Sequence, residues 1–179
     1  METSVKEITA TTFGWVIAFV LPGLLGLYTI SLWSTKASAQ LSAFANAEST
    51  IGLFFIVLLT TLLIGLELSA VRWLLFECLL CRKKKVQSNA FAKLRVPENF
   101  TAFRTIVDEH YKYHQFFGGL VPVIPVFFYG LARSQGVEVI SFEAFGVGIL
   151  ALITEAVTLA GAIHSYGCYV DRANAIFGE

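Results

Sequence analysis

The chain has 179 residues, room for one domain, with 56% apolar residues and a mean hydropathy of +0.69. Soluble domains run at ~45–50% apolar, so the composition excludes an ordinary soluble fold and favours one whose outer surface meets lipid. The net charge of zero gives no global attraction to nucleic acid or to an acidic substrate.

A membrane-spanning helix needs ~20 mostly apolar residues. Four stretches qualify, roughly 13–33, 51–71, 115–132 and 144–164. The expected fold is an all-α membrane protein: one domain over 1–179, a four-transmembrane-helix bundle with a cytoplasmic loop, 81–114, between helices 2 and 3.

The first span carries Leu21-Pro22-Gly23 and ends near Trp33. Ala37-Ser38-Ala39 has the form of a signal-peptidase site. The apolar stretch before it is longer than the usual ~7–15 residue core, and Lys6 is balanced by Glu2 and Glu7. The expectation is therefore an uncleaved span. Residues 34–50 follow as a small polar loop.

The second span keeps its apolar pattern as far as Leu80. It holds Glu67, Arg72 and Glu77. Glu67 and Arg72 are five residues apart, ~140° around an α-helix at ~100° per residue, so they are not expected to pair. Arg72 is expected to meet the fourth span, where His164 and Tyr166 match its depth. The functional reading is a charged cytoplasmic gate; the alternative is side chains reaching to the rim.

Between the second and third spans lie Arg82, Lys83, Lys84, Lys85, Lys93, Arg95, Arg104 and Lys112, whereas the other connections hold Lys36 and Arg133 alone. Basic loops stay inside, so this loop and both termini are expected in the cytoplasm. Trp15, Trp33, Trp73, Tyr111, Tyr113 and Tyr129 lie near span ends, as an aromatic belt would. Val96-Pro97-Glu98-Asn99 reads as a turn, and 100–117 as an amphipathic helix on the membrane surface. The Arg82–Lys85 run, with Tyr111, Tyr113 and Gln115, is the expected lipid- or partner-facing region, since each basic residue near anionic headgroups contributes ~1 kcal/mol.

Cys78-x-x-Cys81 and His110-x-x-x-His114 sit at the same expected membrane surface, and each pair shares a helix face. Together they have the ligand types of a Cys2His2 zinc site. The gap between the pairs is far longer than in a zinc finger, and the alternative is reduced thiols beside two surface histidines. Cys168 has no evident partner. Lipidation of the cysteines is a further, unspecific reading. Asp108, Glu109 and His110 have acid–base side chains but read first as a solvated helix face. No phosphate loop, triad-like order or H-E-x-x-H motif occurs, so no catalytic residue and no cofactor is expected.

The third span is short and contains Pro122 and Pro125. Prolines remove backbone donors and kink a helix, which a bundle tolerates; a re-entrant segment is the alternative. In the fourth span, Glu155 lies about 17 Å from the start at ~1.5 Å per residue, near the bilayer centre, where a charge should face the bundle or a wet cavity. Gly148, Ala151, Glu155, Thr158, Ala162 and Ser165 share its face, a small-residue stripe suited to close helix contact, with Thr and Ser bonding across it. Glu155 reads either as an ion or proton site or as a protonated carboxylate bonded between helices or subunits.

The stretch Glu109-His110-Tyr111-Lys112-Tyr113-His114-Gln115-Phe116-Phe117-Gly118 resembles a His-Tyr-x-Tyr-Tyr-Gln-Phe-Tyr-Gly-Asn-like signature of small bacterial inner-membrane proteins of unassigned function. Leu21-Pro22-Gly23 and the run from Gly65 to Ala70-Val71-Arg72-Trp73 are similar as well. The chain departs from the pattern at His114, Phe117 and Gly119, and a tyrosine in the family at position 114 argues against zinc. The resemblance implies a four-span protein of a bacterial inner membrane and no reaction. In architecture the chain is also similar to compact four-span subunits of some anti-phage defence systems.

The expected function is a non-enzymatic, homo-oligomeric inner-membrane subunit that forms a pore or couples a membrane event to a cytoplasmic protein through residues 81–117. The alternatives are a small ion- or proton-coupled transporter or channel using Glu155, with Glu67, Arg72, His164 and Thr158 as polar or gating groups, and an intramembrane metal-dependent enzyme.

Overall fold

A computed structural model of the chain describes residues 14, 16–46, 50–80, 86, 93–137 and 141–177. All regular structure among them is helical. The elements are α1 (Val16–Trp33), α2 (Thr35–Ala45), α3 (Ile51–Leu80), α4 (residues 97–120), α5 (Val123–Ser134) and α6 (Phe142–Phe177). Four helical runs, Val16–Trp33, Ile51–Leu80, Pro97–Ser134 and Phe142–Ile176, are long and apolar enough to cross a membrane, and they point to an integral membrane protein.

Three elements differ in extent from the sequence reading. Residues 34–50 were expected as a loop, yet Thr35–Ala45 is helical. The Ser34 side chain accepts a hydrogen bond from the Ala37 N–H at 3.3 Å and caps the first turn, and alanines at 37, 39, 43 and 45 favour helix. The amphipathic segment is not separate from the third span. It starts at Pro97, whose missing N–H costs nothing in a first turn, and runs on through the π-wound Val107–Tyr111 to Leu120. A turn at Val121-Pro122 then interrupts the helix before α5, at the first of the two prolines. The fourth helix continues past 164 to Phe177. Its extension is held because Tyr166, Val170 and Ala173 are buried, with Val86, Leu94 and Phe103 packed around Ala173.

Where α1 crosses α3, the bundle is lined by small residues inside and by large apolar ones outside. The buried residues of α1 are Ala18, Pro22, Gly23, Gly26 and Thr29; Gly23 faces Thr61 and Gly65 of α3, and Gly26 faces Ile64 and Leu68. Leu24, Ile30, Phe55, Leu63 and Leu66 lie on the exposed surface. A water-soluble bundle would invert this order; lipid rewards close backbone packing instead. A Cβ on Gly23 would strike the Thr61 carbonyl, and one on Gly65 the Phe19 carbonyl. The two backbones therefore touch, and only glycine permits it.

Ala is normally the better helix former by up to ~1 kcal/mol. Gly148 faces open space, so Gly148→Ala should be neutral or slightly stabilising. Gly65→Ala should cost about 1–3 kcal/mol, because the added methyl overpacks a rigid crossing. Unfolding curves in mixed micelles should show these opposite signs.

Candidate functional site

Arg72 closes the α-wound part of α3, and Trp73–Leu80 continues it in π winding. In a uniform α-helix residue 77 would point ~140° away from residue 72. A π turn joins i to i+5, which brings Glu77 round to Arg72. Arg72 Nη1 donates to Glu77 Oε1 at 3.1 Å, with side-chain exposures of 4% and 25%. The Tyr111 hydroxyl donates to the same oxygen at 3.3 Å. The guanidinium carbon lies 5.7 Å from the Tyr111 ring centre, within cation–π range. Gly118 makes this possible: a Cβ there would lie 2.6 Å from Arg72 Cγ.

His114 sits one turn beyond Tyr111 on α4 and is fully buried. Its Nδ1 is 2.9 Å from the Ala162 carbonyl oxygen on α6. A carbonyl only accepts, so Nδ1 carries a proton. Phe76 meets the ring edge-on at 5.4 Å, and Tyr166 packs on it at 4.9 Å. Tyr111 in turn lies 4.9 Å from Tyr169. Arg72 Nε and His114 Nε2 are buried without a hydrogen-bond partner. Three long helices thus meet in one cluster: Arg72, Phe76 and Glu77 from α3, Tyr111 and His114 from α4, and Tyr166 and Tyr169 from α6. Beside it opens a cavity of about 280 Å³, lined by Trp73, Glu77, Cys78, Val86, Tyr111, Tyr166 and Tyr169. Elsewhere on α4, Glu109 Oε2 accepts from Arg172 Nη1 of α6 at 3.4 Å, and Lys112 pairs with Asp108 at 2.5 Å.

This arrangement changes several sequence-level expectations. Arg72 does not reach His164 or Tyr166 directly; its ion pair is within α3, and His114 links that cluster to Tyr166. His164 is exposed, with Nε2 3.5 Å from Cys168 Sγ. Glu67 is exposed and outside the cluster. Tyr111, expected to face lipid or a partner, is half-buried in the cluster, while Tyr113 is exposed and Gln115 half-buried. The Asp108 and Glu109 carboxylates are held in ion pairs.

Glu155 lies elsewhere on α6. Its Oε2 is shielded and has no hydrogen-bond partner. Along its stripe Thr158, Ala162 and Ser165 are buried, whereas Gly148 is exposed. The inner half of the stripe packs within the protomer, where a Cβ on the neighbouring Gly161 would lie 3.1 Å from the Phe117 ring. Thr158 does not bond across this contact; its hydroxyl donates to the Thr154 carbonyl at 2.7 Å in its own helix.

Of the zinc candidates, Cys78 is half-buried at the cavity and His110 is half-buried. His114 is enclosed by aromatic rings with Nδ1 held by Ala162. Cys81, like Trp15, Arg82, Lys83, Lys84 and Lys85, lies outside the described residues. Among the described residues no three His, Cys, Asp or Glu side chains gather as metal ligands.

Removing one partner of a buried ion pair strands the other, at a cost of ~3–5 kcal/mol. Glu77→Gln should fall in that range because Arg72 is almost wholly enclosed. Arg72→Gln should cost less, since Glu77 keeps the Tyr111 hydroxyl and some exposure to solvent. Unfolding in mixed micelles should give this order.

The chain matches no family model, no curated protein and no solved structure, so the geometry of this cluster is the ground for a functional reading.

Proposed function

We propose that the chain is a non-enzymatic subunit of a bacterial inner membrane that couples an event in the bilayer to a cytoplasmic partner. The observation behind this is the Arg72 cluster. It ties α3 and α6 to α4, and α4 is continuous with the amphipathic segment that begins at Pro97. A tilt or rotation of either apolar helix is passed to residues 97–111 through Tyr111 and His114. The basic residues between α3 and α4 favour a cytoplasmic position for this end, and so for both termini. The exposed faces around Lys93, Arg95, Phe100 and Arg104 offer a partner or lipid surface. A bacterial defence system is one setting for such a subunit.

In this reading the protein is a homo-oligomer, and its copies meet along the outer half of α6. There Phe145, Gly146, Gly148, Ile149 and Leu152 are exposed, and Glu155 borders the contact. A second reading, a pore or proton-coupled transporter, draws on the shielded, unpartnered Oε2 of Glu155.

Hydrogen–deuterium exchange in lipid discs tests the coupling. Tyr111→Leu leaves the Arg72–Glu77 pair in place and should speed exchange across 97–106 at least tenfold, at ~1.4 kcal/mol per tenfold. Unchanged exchange there would remove the coupling reading, and a monomer in discs would remove its oligomeric part. Ion flux into liposomes that Glu155→Gln abolishes would establish the second reading in its place.

A further inference from the structure

The cavity beside the Arg72 cluster has a composition that selects a ligand class. Its wall is lined by four aromatic residues, Trp73, Tyr111, Tyr166 and Tyr169, by Cys78 and Val86, and by Glu77. Aromatic faces carry the negative end of a quadrupole and attract cations, and quaternary ammonium groups are bound by cages of such rings. Among the described residues, the charged side chain that lines the cavity is Glu77. Arg72 stands behind it with only 4% of its side chain exposed. Among the described residues both hydrogen bonds to Glu77 fall on Oε1, so Oε2 is the oxygen offered to a ligand. The volume of about 280 Å³ is just under the ~300–1,000 Å³ of pockets for drug-sized molecules, which suits a small head group.

We propose that this cavity binds an organic ammonium ion, with Trp73, Tyr166 and Tyr169 as the cage and Glu77 as the counter-charge. Two sources share that chemistry, a soluble alkylamine and the ammonium head group of a lipid. Trp73 and Cys78 belong to the apolar run Ile51–Leu80, at the end next to the basic loop, a position open to either. The inference goes beyond the coupling reading and does not depend on it: coupling fails on exchange in 97–106, this proposal on binding.

The test is equilibrium dialysis of radiolabelled tetramethylammonium against the full chain in discs made only of phosphatidylglycerol. Saturable binding is expected. It should weaken about tenfold in Tyr169→Leu, through loss of one cation–π partner, and persist in Tyr169→Phe, which keeps the ring. Should Tyr169→Leu fail to fold, Trp73→Leu removes a ring that is already half exposed and should give the same loss. Repeating the titration in discs containing phosphatidylcholine separates the sources: abolished binding means that the lipid head group fills the cage, and undiminished binding means a soluble amine. No saturable binding up to about 10 mM, a millimolar limit that corresponds to negligible affinity, would overturn the proposal. So would equal binding by the wild type and a folded ring-to-leucine variant.

Discussion

The burial of one guanidinium organises this molecule. Arg72 has 4% of its side chain exposed, in a helix whose apolar run otherwise suits a bilayer. A charge in such a place is expensive unless it is paired and hydrogen-bonded. Each distinctive feature of this end of the bundle meets part of that requirement. The π winding of Trp73–Leu80 swings Glu77 into reach. Tyr111 supplies a ring to the cation and a hydroxyl to the carboxylate. Gly118 leaves room for the arginine stem. His114 then closes the space behind Phe76 and fastens α4 to the Ala162 carbonyl.

The waist of the bundle, where α1 crosses α3, relies on a different force. Gly23 of α1 meets the backbone of Thr61 and Gly65 of α3, and Gly65 that of Phe19, with almost no side chain between them. Dispersion between closely approaching backbones holds that contact, because lipid gives apolar side chains no reason to turn inward. Further along, Trp33 stacks on Tyr129 at 5.4 Å and lies under the Arg133 guanidinium at 5.1 Å, an arrangement of the interfacial kind. One end thus combines charge with aromatic rings, and the waist between the first two spans consists of glycine and proline.

Much of this architecture is legible in the sequence. Hydropathy gives the four runs and their order, because lipid exposure demands long apolar stretches and leaves little freedom in where they fall. Pro122, the first of the proline pair, marks the break between α4 and α5. The Arg72–Glu77 pair is hidden because helical projection assumes a constant ~100° per residue, and the π stretch breaks that assumption where it matters. Tyr111 and His114 read as surface residues because they stand in a segment rich in charge; the packing of α3 and α6 against α4 encloses them. Tyr169 lies beyond the expected end of the fourth span, so nothing drew it into a membrane argument. Glu155 is conspicuous by its depth, yet the polar contacts that join the helices form elsewhere. Depth measures the cost of a charge, whereas helix contacts decide which polar groups meet.

The π-wound segments have a further consequence. Each is in effect one surplus residue held within a helix, and a surplus residue has no fixed address. If it migrates along the helix, the residues it passes turn by roughly 100° while both ends of the helix stay where they are. Glu77 comes from one such segment and Tyr111 from another. The bundle therefore contains two places where a side chain could leave the arginine and another take its position by local rewinding alone, with no sliding of helices through the lipid.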